Sequence, residues 1–195
     1  MRNSFARLAL LGAIVCAWQA PASAQASVTA TVQVRQGPLT ITGPASLGLT
    51  FNDTNLFVDY VNAQSVTGNA FSAPANFVIN DRRGRGSNGW RVQMAATAFT
   101  GAATSTTIAA SNFSYAGGSG SVTKNNGPSD TTAPAEASGT VTLGSAATVA
   151  SATSGNGRGR YTYVPAASGF SVNVPAGTID DTYTSTLTIS ILAGP

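Results

Sequence analysis

The sequence predicts an all-β protein, a single β-sandwich of immunoglobulin-like general architecture that follows a cleaved signal peptide. Three observations predict it. Apolar residues recur with a period of two in one short segment after another, and beyond the first 24 residues no stretch sustains an apolar period of 3.6. Gly, Pro, Asn and Asp clusters interrupt these segments roughly every ten residues, giving about nine to eleven short strands. The composition is poor in charge, at 9% of 195 residues, and holds 21 glycines. That balance suits strands and tight turns facing solvent on one side and a core on the other.

The leader comes first. Arg2 and Arg7 supply a positive start, residues 8–17 a short apolar run, and Ala22-Ser23-Ala24 a small-residue cleavage site, with Ala24-Gln25-Ala26 as a second. The run is too short to span a bilayer, so residues 1–24 read as a signal peptide and residues 25–195 as one domain. The single cysteine, Cys16, lies within the leader, so the exported domain is expected to hold together without disulfides. Setting aside Arg2 and Arg7 leaves eight basic residues against seven acidic, a net charge of +1. Nothing in that balance calls for nucleic acid, and no later apolar run suggests a transmembrane anchor.

Taken in order, Val28, Ala30, Val32 and Val34 alternate with polar residues and read as a first strand, broken at Gly37-Pro38. Leu39 and Ile41 mark a second, and Leu47, Leu49 and Phe51 a third. After the turn cluster at residues 52–55, residues 56–61 read as another strand, and residues 65–74 as a loop. Residues 76–100 then read as strand, glycine-arginine turn, strand. Phe77 and Ile79 share one face, residues 81–89 supply three glycines, and Trp90, Val92, Met94 and Ala96 share the next inward face. Trp90 opens its strand and is the expected core anchor. Ile108, Phe113 and Tyr115 are the expected attachment points of residues 101–120, and residues 119–137 read as a long surface excursion. A weak strand begins at Val141 and Leu143. A second glycine-arginine turn covers residues 154–159, and Tyr161 and Tyr163 share a face after it. Phe170, Val172 and Val174 alternate until Pro175. The last segment has the clearest period, with Tyr183, Ser185, Leu187, Ile189 and Ile191 on one side and Thr184, Thr186, Thr188 and Ser190 on the other.

Several of these residues resemble the WxL-domain surface proteins. Asp81-Arg82-Arg83-Gly84, Gly89-Trp90-Arg91-Val92 and Phe99-Thr100 resemble the first motif of that family. Val174-Pro175-Ala176-Gly177-Thr178 and the run from Tyr183 through Leu187 to Ile189 resemble its C-terminal segment. The resemblance implies an exported, cell-surface domain that associates non-covalently with peptidoglycan or another envelope polymer. It also marks Trp90, Val92, Tyr183, Leu187 and Ile189 as motif and core positions. The chain departs from the pattern twice: the first Trp-x-Leu stands as Trp90-Arg91-Val92, and the second as Ile189-Ser190-Ile191, which has no aromatic ring.

For chemistry the inventory is thin. With no histidine in the chain and no cysteine after residue 16, imidazole- and thiol-based catalysis and their metal sites have no ligands. No enzyme activity, metal or cofactor is expected. Six of the eight basic residues, Arg82, Arg83, Arg85, Arg91, Arg158 and Arg160, flank the two glycine turns. Two readings stand: solvated loop tips with Asp81 pairing locally, or a binding site for an anionic polymer or glycan if both turns meet at one end. Two further functions stay open. One is a structural subunit of a surface layer or fibre, whose first or last strand pairs with a neighbour. The other is a glycan-active enzyme using a carboxylate pair such as Asp180-Asp181.

Overall fold

Alternating valine, threonine and aromatic residues suit a pleated backbone with one wet and one dry face, and strands form where that alternation finds a partner. A computed structural model describes residues 29–51 and 56–195. The predicted leader, Val28 and the turn cluster at residues 52–55 lie outside the described residues. Contacts divide the chain between residues 34 and 35, and residues 35–195 form the sandwich.

Its strands are β1 (Leu39–Thr42), β2 (Leu49–Phe51), β3 (Gln64–Phe71), β4 (Phe77–Asp81), β5 (Trp90–Ala96), β6 (Phe99–Gly101), β7 (Thr107–Ile108) and β8 (Phe113–Gly117). They continue with β9 (Ser121–Asn126), β10 (Ala135–Glu136), β11 (Gly139–Thr142), β12 (Ala147–Ala152), β13 (Gly159–Val164), β14 (Phe170–Val174), β15 (Tyr183–Thr184) and β16 (Leu187–Ala193). They pair antiparallel in four sheets, ordered β1-β4-β13-β9, β10-β12-β5-β16, β11-β8-β14-β3-β2 and β15-β6-β7. Among the described residues the helical pieces are three single turns, such as Gly84–Gly86. The protein is an all-β sandwich.

One apolar core joins the sheets. Ile79, Trp90, Val92, Met94, Tyr115, Tyr161, Tyr163 and Phe170 are fully buried within it. Rings meet edge to face across sheets, Trp90 against Tyr161 at 5.8 Å and Phe99 against Phe113 at 5.2 Å. The expected faces of β4, β5, β13 and β14 are therefore the observed ones, and Ile108, Phe113 and Tyr115 do attach their region to the core.

Four segments differ from expectation. Residues 29–34 keep their alternation but form no strand, and Val32 and Val34 are 86% and 90% exposed. Residues 56–61 are not a strand either. Asp59 Oδ1 accepts the backbone N–H groups of Val61 at 2.7 Å and Asn62 at 2.9 Å, and this local turn competes with a ladder. The supposed loop over residues 65–74 holds all but the first residue of the eight-residue β3, paired with β14 and β2. Its glycine misled the reading; a Cβ on Gly68 would collide with the Ala167 carbonyl, so the glycine marks a close approach rather than a turn. The excursion at residues 119–137 carries β9, which pairs with β13, and the short β10.

Candidate functional site: a basic pole

Register brings the two arginine turns together. On adjacent strands Asp81 of β4 pairs with Gly159 of β13, so Arg82 and Arg158 leave neighbouring strand ends. Trp90, the first residue of β5, pairs with Ala152, the last of β12. Across the gap, Gly155 N donates to Ser87 O at 3.2 Å and Trp90 Nε1 donates to Gly157 O at 2.9 Å. Gly157 lies at φ +75°, where a Cβ would strike the indole, so only glycine lets the second turn close on the buried ring.

Arg83 does not belong to the solvent. Its Nε and Nη2 grip Asp81 at 2.9 and 2.8 Å as a fork, and Nη2 also donates to Gly89 O at 2.6 Å. Ser87 Oγ donates to Asp81 Oδ2 at 2.7 Å and Arg83 N to Oδ1 at 3.0 Å. Burial works to raise the Asp81 carboxyl, but the hydrogen bonds from Arg83 and Ser87 outweigh it and hold it below the usual carboxylate range. Asp81 thus pairs locally, and its partner Arg83 is the clamp of the first turn.

The second turn has its own carboxylate. Asp130 accepts from Tyr161 Oη at 2.7 Å, Gly157 N at 2.9 Å and Lys124 Nζ at 3.1 Å. Burial pushes this carboxyl up, and the bonds from Tyr161 and Gly157 pull it further down. Asn156 Oδ1 receives Thr131 N at 2.7 Å and Thr132 N at 3.1 Å, docking the 128–132 loop onto the turn.

The remaining arginines fall into two groups. Arg82, Arg85 and Arg160 are exposed. Arg91 and Arg158 are half-buried: Arg91 reaches the Pro195 carbonyl at 2.9 Å, while Arg158 Nε is buried and without a hydrogen-bond partner. The structure therefore gathers the turn arginines at one pole, with three of the six free to meet solvent. Ser87, Asp130, Lys124 and Asn156 support this pole and were not singled out from sequence. The Gly-Asn-Gly of residues 155–157 was the one local signal.

The two motif strands are neighbours. Val92 pairs with Ile191 and Met94 with Ile189, so Trp90-Arg91-Val92 and Ile189-Ser190-Ile191 lie side by side in one sheet. Trp90 stands opposite Ala193, and its ring packs on Tyr161 instead of on an aromatic from β16. Leu187, Ile189 and Tyr183 are half-buried on the core side.

Beyond the other ends of β5 and β16 the surface changes character. A cleft of about 310 Å³ opens there, bordered by Phe57, Val58 and Ile179. Gly177 N donates to Asp59 O at 2.7 Å, which ties the 56–62 loop to the 175–179 turn. Asp181 anchors the 101–106 loop through Thr104 Oγ1, Thr104 N and Ala103 N, and these donors hold its carboxyl at about 2. Among the described residues no cluster of His, Cys, Asp or Glu could hold a metal ion, and no helix is long and apolar enough to cross a membrane.

A rigid pole that presents several guanidinium groups can attract and hydrogen-bond an anionic polymer. The class that the fold defines is an all-β sandwich. Comparison with family models is more specific: the chain belongs to the WxL family, whose description is "WxL domain surface cell wall-binding", and the match covers residues 22–195. Comparisons with curated proteins and with solved structures gave no match. Family membership supports binding of an envelope polymer at the cell surface.

Proposed function

We propose that this chain is a non-catalytic, exported domain that attaches non-covalently to an anionic polymer of the cell envelope through Arg82, Arg85 and Arg160, with Arg158 beside them. The observation that carries the reading is the meeting of the two arginine turns, through Gly155 to Ser87 and Trp90 to Gly157. Residues about 70 apart in sequence thereby share one surface, on a frame already locked by Asp81 and Asp130. The pole fixes the backbone that carries these arginines before any ligand arrives, while their exposed side chains keep their freedom until one binds.

Purified sacculi and soluble anionic wall polymer serve as probes. Retention should fall as salt rises, because exposed charges are screened over ~8–10 Å at moderate ionic strength. Replacing Arg82, Arg85 and Arg160 together with alanine should abolish most retention and leave the thermal melt in place. Retention unchanged by that variant and by high salt would rule the pole out as the binding surface.

A further inference from the structure

Alongside β1, β2 and β16 the sandwich holds a cavity of about 640 Å³. Protein cores leave few voids larger than one water molecule, whose share of the liquid is about 30 Å³. At that share this cavity has the room of roughly twenty waters. Space on that scale is not slack packing; it is the size of a small-ligand site.

The lining names the chemistry of the ligand. Phe77, Phe113 and Phe170 are buried around the cavity, and Phe71, Leu47 and Leu187 are half-buried there. Among the described residues no charged side chain lines it. Two hydroxyls on its border are already engaged: Ser185 Oγ donates to Thr97 O at 2.7 Å, and Tyr183 Oη to Ile179 O at 2.9 Å. A charge buried there would find no counter-charge, so the anionic polymer expected at the basic pole does not suit this site.

The surroundings name its shape. Phe51, Phe99 and Tyr183 border both this cavity and the 310 Å³ cleft at the far end of the sandwich, its aromatic pole. The two spaces therefore adjoin through shared rings, and the cleft ends at exposed Phe57 and Ile179. An elongated apolar space takes a chain rather than a compact ring system. Asp180 stands exposed beside that end, and its carboxylate repels an anionic head group.

We infer that the cavity and the adjoining cleft bind the single aliphatic chain of an uncharged amphiphile, with the head beside Asp180. The inference does not rest on wall binding. Entry needs little disruption. Residues 43–48 join β1 to β2 along the cavity and are pinned at Gly48, whose N–H donates to Ser72 Oγ at 2.8 Å and whose carbonyl accepts Ser72 N at 2.8 Å. Residues 44–47 make no hydrogen bond among the described residues, so they can shift to admit a chain without breaking one.

Displacement of the neutral dye N-phenylnaphthylamine from the purified chain tests this. Octanol, decanol and dodecanol should displace it with affinity rising about fourfold for each added methylene, as chain burial requires. Dodecanoate should bind on the order of tenfold more weakly than dodecanol, and Asp180→Asn should narrow that gap. Leu47→Trp should fill the cavity and abolish displacement while retention on sacculi stays at the parent level. The length series needs no variant, so it decides the matter even if Leu47→Trp fails to fold. A free amphiphile and a bilayer each offer such a chain. Flotation with phosphatidylcholine vesicles, lost when dodecanol is in excess, would assign the chain to a bilayer lipid; dodecanol binding without flotation would assign it to a free amphiphile. No displacement by any alcohol, affinity independent of chain length, dodecanoate binding as tightly as dodecanol, or a folded Leu47→Trp that binds like the parent would each overturn the inference.

Discussion

The two ends of the sandwich solve opposite problems with the same strands. At the basic pole the buried Asp81 carboxylate collects Arg83 and Ser87, Asp130 collects Tyr161, Gly157 and Lys124, and an indole N–H closes the second turn. Like charges can stand there because buried carboxylates and backbone carbonyls hold the loops in place. At the aromatic pole the pairing thins to strands of two or three residues, β6, β7 and β15, and apolar side chains remain in solvent. The comparison teaches that polar groups in this fold hold the loops of the end that carries charge, while the end with fewer such bonds keeps apolar side chains in solvent.

Breaking the basic pole from within should have the largest effect. Trp90→Ala removes a fully buried ring together with its bond to Gly157, and should cost about 3–5 kcal/mol, read as a fall in denaturation midpoint. Arg83→Ala comes next, at about 2–3 kcal/mol, because it strands the buried Asp81 carboxylate. Arg83→Lys should recover only part of that loss, since an ammonium cannot reproduce the two-pronged contact. Gly157→Ala should cost about 1–3 kcal/mol, from a left-handed backbone and a clash with the indole. Exposed Phe57→Ser, by contrast, should change the melt by less than about 0.5 kcal/mol, which sharpens the difference between the ends.

Acid should loosen both poles. Asp81, Asp130 and Asp181 all titrate below the ordinary 3.8 in the folded chain. The unfolded chain therefore binds more protons at low pH, and stability is complete above the ordinary value and lost as pH falls through the folded ones. Melts taken from pH 5 down to 2 should show that decline, and Asp81→Asn should start lower and decline less steeply. The smallest stability effect is expected for Arg82→Ala with Arg85→Ala and Arg160→Ala, under about 0.5 kcal/mol for each, alongside the largest loss of retention on sacculi.

Much of this was legible residue by residue. The faces of β4, β5, β13 and β14 and the burial of Trp90 follow from a period of two with large rings at inward positions. β3 was not legible, because Gly68 and its small polar neighbours carry the same signal as a loop; their strand character comes from β14 and β2 on either side. Residues 29–34 show the converse: alternation specifies a face, and a face becomes a strand only where a ladder forms beside it. Asp81 pairing locally was expected, but not the withdrawal of Arg83 from the surface group, since Gly89 O becomes its acceptor only when the first turn folds.

What the sequence by itself determined is local: fold class, the inward set of each long strand, the two glycine turns and the resemblance to the WxL family. Each depends on neighbours within a few residues, where backbone sterics and side-chain alternation act directly. Only the tertiary structure decided that residues 83–87 and 153–158 meet, that Ile191 lies beside Val92, and which arginines face water. Those outcomes depend on strand order and register, which are set by the sum of many weak contacts between distant segments.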